Sequence, residues 1–372
     1  MTDTSPLSRR LLLRNAGITA GALLAPGLLS ACASEATGSA SAAASSGPLS
    51  RIKSKSLVFA DFGGTTRAAR QTAYFDSFTK ETGVKVVTTI PADAKMYAME
   101  DGEDGPYDEL PVGQYELYGA LEHDSMATLP SDVTRNDQVE KRAQPYAWAS
   151  FVIANTQAYL PGTFDGRGPQ TWAEFWDVKK FPGKRAWPGT AGSADYSIER
   201  ALLADGVAPE DLYPLDFERG FAKLDELRSH MVFFTSYPQI QQFLTSKTAA
   251  VAVGPNGLFR ALQNQGTDVT IVFNEAFLSP NISVTTKKAA HKDGAWALAQ
   301  WCTDGKRQAT FASLTGYGPG NESAFEHISD KVLATLPNGP ANKDKTISPD
   351  NTALAKVYSD YVKKYAAWLS KG

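Results

Sequence analysis

Apolar positions along this chain fall alternately into short extended runs and helical stripes. Leu57, Val58, Phe59 and Ala60 form one extended run, and Val84 to Ile90 a second. Between them, residues 66–82 carry Tyr74, Phe75 and Phe78 at three- and four-residue spacing, with Gly83 as the helix stop. That order predicts a β-α-β unit, hence parallel strands and a right-handed crossover. Phe151, Val152, Ile153 and Ala154 suit a buried strand, broken at Pro161 and Gly162. Thr171 and Glu174 then have capping-box spacing, opening a helix that Phe181, Pro182 and Gly183 close.

Further on the alternation continues. Helical stripes are predicted over 197–205, over 215–229 with Phe217, Phe221, Leu224 and Leu227 on one face, over 238–246 and over 258–264. Strands are predicted at 231–234, 249–253, 269–273 and 282–286, and helices again at 294–301, 307–314 and 352–369. Helix and strand alternating at this spacing signals a second doubly wound sheet, and 372 residues are too many for one ordinary core. The fold class read from the pattern is α/β with two lobes.

The N-terminal 31 residues follow a different pattern. Arg9, Arg10 and Arg14 flank the start of an apolar segment running to Leu29, interrupted by Pro26 and Gly27. Ser8 to Arg14 resembles the twin-arginine export signal, and Leu29, Ser30, Ala31 and Cys32 resemble a bacterial lipobox, whose cysteine is diacylated and becomes the new N-terminus. Residues 1–31 are therefore expected to be an export signal peptide. Two acyl chains anchor a protein stably where one does not, so Cys32 is expected to hold the protein to the extracytoplasmic face of a membrane. Residues 33–50 are rich in Ser, Ala and Gly and read, with Cys32, as a flexible tether.

Composition narrows the partner. Hydrophobic residues make up 42% and charged residues 21% of the chain, as in a soluble globular protein. The whole chain carries −3; residues 1–31 hold three Arg and one Asp, so the chain from Cys32 carries −5. A mildly acidic body argues against nucleic acid. The second cysteine, Cys302, falls in a helical pattern and reads as a buried, inert thiol. His123, His230, His291 and His327 are scattered without zinc-site spacing, and Asp101 to Asp104 lacks the spaced ligands of a calcium loop, so neither metal nor cofactor is expected.

Loops that lead from strand to helix hold the candidate chemistry. In Phe62, Gly63, Gly64 and Thr65, paired glycines let a ligand approach the main chain, and the following helix start favours an anion; a tight turn needing φ above zero is the alternative. Ser193, Asp195 and Tyr196 precede a helix, where Ser193 or Asp195 would serve equally as its N-cap. Ser236 and Asn256 lead two more strands into helices, Asn256 with the alternative of a turn residue. Asn281 stands just before the strand at 282–286. Loops converging on one sheet edge are what a cleft needs.

Residues 145–188 carry a resemblance. The succession PYAW, IANT and TWAEFWDVKKFPGK resembles the extracytoplasmic solute-binding proteins of ABC importers, in the branch of the spermidine/putrescine-binding proteins. The resemblance covers nearly all of 55–372 and implies a type II periplasmic-binding-protein-like fold, with two doubly wound sheets joined by two hinge strands near Ile153 and Val284. It implies lobe 1 over 51–152 and 283–345, lobe 2 over 153–282, and a C-terminal helix, 346–372, packing across both. It also implies a monomer that captures a small solute and docks on a permease driven by an ATPase. Gly113 and Tyr115 match ligand-side positions of the family, with the amide of Gln114 between them, although a packing tyrosine competes for Tyr115. Tyr317 fills the position of a ligand-facing aromatic, and Trp148 is the one residue of 145–188 placed to reach the cleft.

For the substrate the chain departs from that branch. Polyamine binders set carboxylates against ammonium groups, whereas the aligned positions here are Phe62, Gly63, Ser193, Pro255, Ser279 and Asn281, leaving only Asp195 nearby. The residue types suit a smaller, polar ligand with an anionic or zwitterionic end, such as an amino-acid derivative or a small carboxylate. The competing class is a two-lobed α/β enzyme acting on a small metabolite. It lacks a Gly-x-Ser-x-Gly nucleophile elbow, and no catalytic residue is assigned. A purely structural surface lipoprotein is the third reading, disfavoured by the two-sheet pattern.

Overall fold

The computed structural model describes residues 47–193 and 196–371, so the export motif, Cys32 and most of the tether lie outside the described residues. The described residues include a turn ahead of residue 51. Pro48–Arg51 makes a 3-10 turn with Pro48 buried, and Arg51 forms a two-pronged ion pair with Asp132.

Strands β1 (Ser56–Ala60) and β2 (Lys85–Thr89) pair in parallel, as the β-α-β pattern predicts. The helical segment between them is one rod with a π turn, Gln71–Phe75, set between Gly64–Arg70 and Asp76–Thr82. Gly83 closes it with φ 76°, a conformation that costs a β-carbon dearly. A single parallel bridge, Phe59 to Glu109, leads from β1 toward β3 (Leu110–Val112).

Strands β4 (Ala147–Tyr159), β5 (Arg185–Pro188), β6 (Met231–Phe234), β7 (Val251–Pro255) and β8 (Thr270–Val284) join β3 in a six-stranded mixed sheet of order β3-β8-β4-β7-β5-β6. The expected two separate sheets are thus one sheet plus the β1-β2 pair, because β4 and β8 are long enough to run antiparallel to each other through both halves. The segments 269–273 and 282–286, expected as separate strands, belong to the single strand β8. Asn274, Glu275 and Pro280 disguise it. Residues 273–276 bulge out of register, with Glu275 at φ 58°, and Pro280 stands beyond the reach of β3, where a missing donor is tolerated.

Two of the core clusters lie on either half of the crossing strands. Leu57, Phe59, Tyr74, Phe75, Trp148 and Phe311 fill the first half. Trp172, Phe175, Trp187, Ile198, Leu224 and Val251 fill the second, joined there by Tyr361, Tyr365 and Trp368 from the helix Asn351–Leu369. That helix also touches the first half, where Asn351 donates to Glu140 and Tyr358 packs on Tyr115.

The helix at 172 is shorter than predicted, spanning Trp172–Trp176 and ending before Phe181. Its hydroxyl cap forms, with the Glu174 amide donating to Thr171 Oγ1 at 3.1 Å. Glu174 reaches back one residue further than a capping box requires, accepting from the Gln170 amide at 2.8 Å. The Thr171 cap is flanked instead by the β8 bulge, where Glu275 accepts from the Trp172 amide and the indole N–H of Trp172.

Candidate functional site

The turn after β1 is built around Asp61, whose Oδ1 accepts the Gly63 amide at 2.8 Å. Gly63 has φ 85° and ψ −156°, and Gly64 has φ 64°, values that favour glycine at both positions. A β-carbon on Gly64 would meet nothing within 4 Å, and one on Gly63 only Ile90 at 4.0 Å, so the turn borders open space. Phe62 and Thr65 are exposed beside it.

Tyr317 comes to the same place from the other end of the chain. Its ring stacks on Phe151, its hydroxyl lies close to Thr66, and Gly257 packs against its edge. Burial, and then the nearby Tyr237, push its phenol well above the ordinary range. Asn256 fixes the junction: its Oδ1 accepts the Ala154 amide at 3.0 Å and its Nδ2 donates to the Gly316 carbonyl at 2.7 Å. The fold therefore brings Phe62, Gly63, Gly64, Thr65, Asn256 and Tyr317 together, but Asn256 and Tyr317 are buried and brace the junction, so Tyr317, expected to face the ligand, instead packs on Phe151.

Tyr237, exposed at the start of the helix Tyr237–Thr245, belongs to this group although the sequence singled out its neighbour. Ser236 is exposed at the N-cap position of that helix and makes no capping hydrogen bond. Asn281 lies on β8 opposite Phe151, accepting from Arg70 Nη2 at 2.9 Å and standing 3.3 Å from Ser150 Oγ.

Five expected contacts are packing residues. Gly113 donates its amide to Glu116 at 2.6 Å and has ordinary φ; its missing β-carbon makes room for the Tyr115 ring. Gln114 is buried with its Oε1 on the Glu140 amide at 2.8 Å, and Tyr115 lies against Tyr358, ring centroids 4.5 Å apart. Trp148 is 1% exposed, its indole N–H directed at Glu109 Oε2. Tyr196 is also buried, stacked on Phe277 with centroids 4.7 Å apart. Asp195 and the side chain of Ser193 lie outside the described residues.

Asp61, Arg70 and Ser150 escaped the sequence reading, in which Thr66 and Tyr237 figure only as members of their loops. One local signal pointed to Arg70: it shares the apolar stripe of Ala73 and Tyr74, three and four residues on. A concavity of about 490 Å³ elsewhere is lined by Thr163, Asp165, Arg167, Lys179 and Lys180 among others. None of the converging residues lines it, and Arg167 and Lys180 there already pair with Glu174, so it is surface relief apart from the cleft. Among the described residues no group of three or more His, Cys, Asp or Glu side chains is placed to hold a metal.

Comparisons with known proteins agree with this architecture. Residues 73–341 match the family described as bacterial extracellular solute-binding protein. The chain is 30% identical over 335 residues to the gamma-aminobutyric acid-binding protein of Pseudomonas aeruginosa, covering 86% of this chain and 93% of that protein. It is 24% identical to spermidine/putrescine-binding periplasmic protein 1 of Haemophilus influenzae, covering 78% and 84%. A solved structure of the GABA receptor Atu4243 superposes with a TM-score of 0.77 at 29% identity, covering 85% of this chain and 98% of that one. A two-lobed α/β fold with two shared crossing strands, loops meeting at one open edge and a family match over most of the folded region lead to one conclusion: the chain belongs to the bacterial extracellular solute-binding proteins, the components of ABC import systems that capture a small polar solute.

Proposed function

We propose that this protein captures a small ω-amino acid, with 4-aminobutyrate as first choice, and delivers it to the permease of an ABC importer without chemical change. The observation that carries the reading is the Gly63-Gly64 turn. With the Gly63 amide held by Asp61, it offers the amides that follow, those of the helix start, to a carboxylate beside open space, with the exposed rings of Phe62 and Tyr237 for the apolar and cationic remainder. The GABA-named relatives support this choice. The positions aligned with the acids of polyamine binders hold no carboxylate here, and only Asp195 stands nearby, which speaks against a dication.

The remaining organisation is part of the same proposal. Residues 1–31 direct export through the twin-arginine route, and lipidated Cys32 tethers a monomer outside the membrane. The lobes divide at 152/153 and 282/283, and closure about β4 and β8 is driven by the solute's preference for the closed form.

Titration calorimetry of the purified protein with 4-aminobutyrate, putrescine, spermidine and succinate tests the solute. Binding of 4-aminobutyrate is expected, and at 100 times its Kd it adds about 2.7 kcal/mol of stability. Tight polyamine binding with none of 4-aminobutyrate, or turnover of any of these compounds, overturns the reading. Labelling with an alkyne fatty acid is expected on the wild-type protein and lost in Cys32→Ser.

A further inference from the structure

Arg70 is the last residue of the helix Gly64–Arg70, where the helix widens into its π turn, a distortion frequent at functional sites. Only 2% of it is exposed. Its Nη1 donates to Asp61 Oδ2 at 2.8 Å, and its Nη2 donates to Asn281 Oδ1 at 2.9 Å and to Ser150 Oγ at 3.4 Å. The guanidinium lies 5.2 Å from the ring centroids of both Phe59 and Phe151.

Those partners belong to three separate parts of the binding apparatus. Asp61 holds the Gly63 amide with its other oxygen. Ser150 is the extra residue of a bulge in β4, between the pairs Ala149–Ile282 and Phe151–Asn281, and its carbonyl accepts from Tyr74 Oη at 2.9 Å. Asn281 is on β8. One side chain thus grips the turn and both crossing strands.

Arg185 supplies an internal contrast. It too is buried, but its guanidinium bonds go to the carbonyls of Phe175, Phe181 and Gly183, all within ten residues of it. Arg185 staples one local loop, whereas Arg70 joins residues 61, 150 and 281. A planar guanidinium spreads its donors over a rigid fork and reaches separated acceptors together, whereas a lysine donates from the single point of its ammonium.

We propose that Arg70 is a positioning residue that couples the Gly63-Gly64 turn to the crossing strands, so that bending of the β4-β8 pair on closure alters the turn through Asp61. The inference rests on the reading of that turn as the solute contact. Coupling of this kind needs a contiguous physical network with its own measured effect, and the three bonds of Arg70 provide the network.

Hydrogen exchange on the ligand-free protein tests it without any solute. In Arg70→Lys, amides of residues 61–67 are expected to exchange faster by about tenfold, within the range that single residues of a coupled network exert. Arg185→Lys, a comparable loss from the core, is expected to quicken exchange around residues 175–187 and leave 61–67 as in wild type. Equal exchange at 61–67 in Arg70→Lys and wild type, or equal acceleration by both variants, overturns the proposal. Should Arg70→Lys fail to fold, Ser150→Ala and Asn281→Ala keep the Arg70-Asp61 pair and cut the link to the strands. They are expected to quicken exchange at 61–67 as well, and no change there refutes the coupling. With 4-aminobutyrate as probe, Arg70→Lys is expected to release it about tenfold faster and Arg185→Lys at the wild-type rate. A wild-type protein that does not bind 4-aminobutyrate removes the solute assignment while the exchange experiment still decides the coupling.

Discussion

The ring of Tyr317 lies on the ring of Phe151, centroids 4.7 Å apart and 25° from parallel, so the loop after the helix Gly305–Thr315 is seated directly on a crossing strand. On its other side the phenol meets Gly257, where a β-carbon would stand 2.3 Å from Cζ. Gly257→Ala is therefore expected to destabilise by about 1–3 kcal/mol, the usual cost of overpacking. Urea denaturation of the single variants and of Gly257→Ala with Tyr317→Ala checks it. Removing the ring should recover part of the loss, and simple additivity would refute the clash.

Tyr361 links the C-terminal helix to the start of the helix Ser197–Ala204. Its hydroxyl accepts the Ile198 amide at 2.9 Å and donates to Glu199 at 3.2 Å. Tyr361→Phe leaves a buried amide and a buried carboxyl each short of a partner, at an expected cost of about 1–3 kcal/mol. Chemical denaturation measures it, and a wild-type midpoint would show that other groups take up the bonds.

Two buried acids set a pH dependence. Burial pushes Glu109 from 4.5 up to about 8, only partly opposed by hydrogen bonds from Thr285 and Trp148. Burial likewise raises Glu199 from 4.5 to about 7. The folded protein then holds protons that the unfolded chain releases, so the stability from these groups is complete below 4.5 and is lost as pH rises through 7 and 8. Glu109→Gln carries no titrating proton there, and the fall in urea midpoint between about pH 5 and pH 8 is expected to shrink in this variant. An unchanged fall would assign the slope to other groups.

Cys302 is fully buried, and burial followed by the nearby Glu109 raises its thiol well above 9. Since the thiolate is the reacting species, iodoacetamide is expected to spare Cys302 in the native protein and label it in urea. Peptide mass spectrometry resolves this residue, and rapid native labelling would contradict the burial.

Secondary structure was largely legible because its signals are local. The strand at 231–234, the stop at Gly83 and the helix ending at Leu369 each depend on a few neighbouring residues, and all three occur as predicted. The open Gly63-Gly64 turn was legible from its residue types, whereas the family pattern placed Tyr317 near it without showing that its ring packs on Phe151. Gln114, Tyr115 and Trp148 were misplaced because an amide or a large ring serves a ligand and a core equally well, and only the neighbours decide which.

By itself the sequence determined the α/β alternation, the family and the loops from which a cleft is made, since periodicity, glycine conformation and motif order are properties of short stretches. Only the tertiary structure decided that β4 and β8 run as one antiparallel pair through both halves, and that Asp61, Arg70, Ser150 and Asn281 meet. The physical reason is distance along the chain. Arg70 and Asn281 are 211 residues apart, and no local propensity records that folding will place a guanidinium between two crossing strands and the turn it holds.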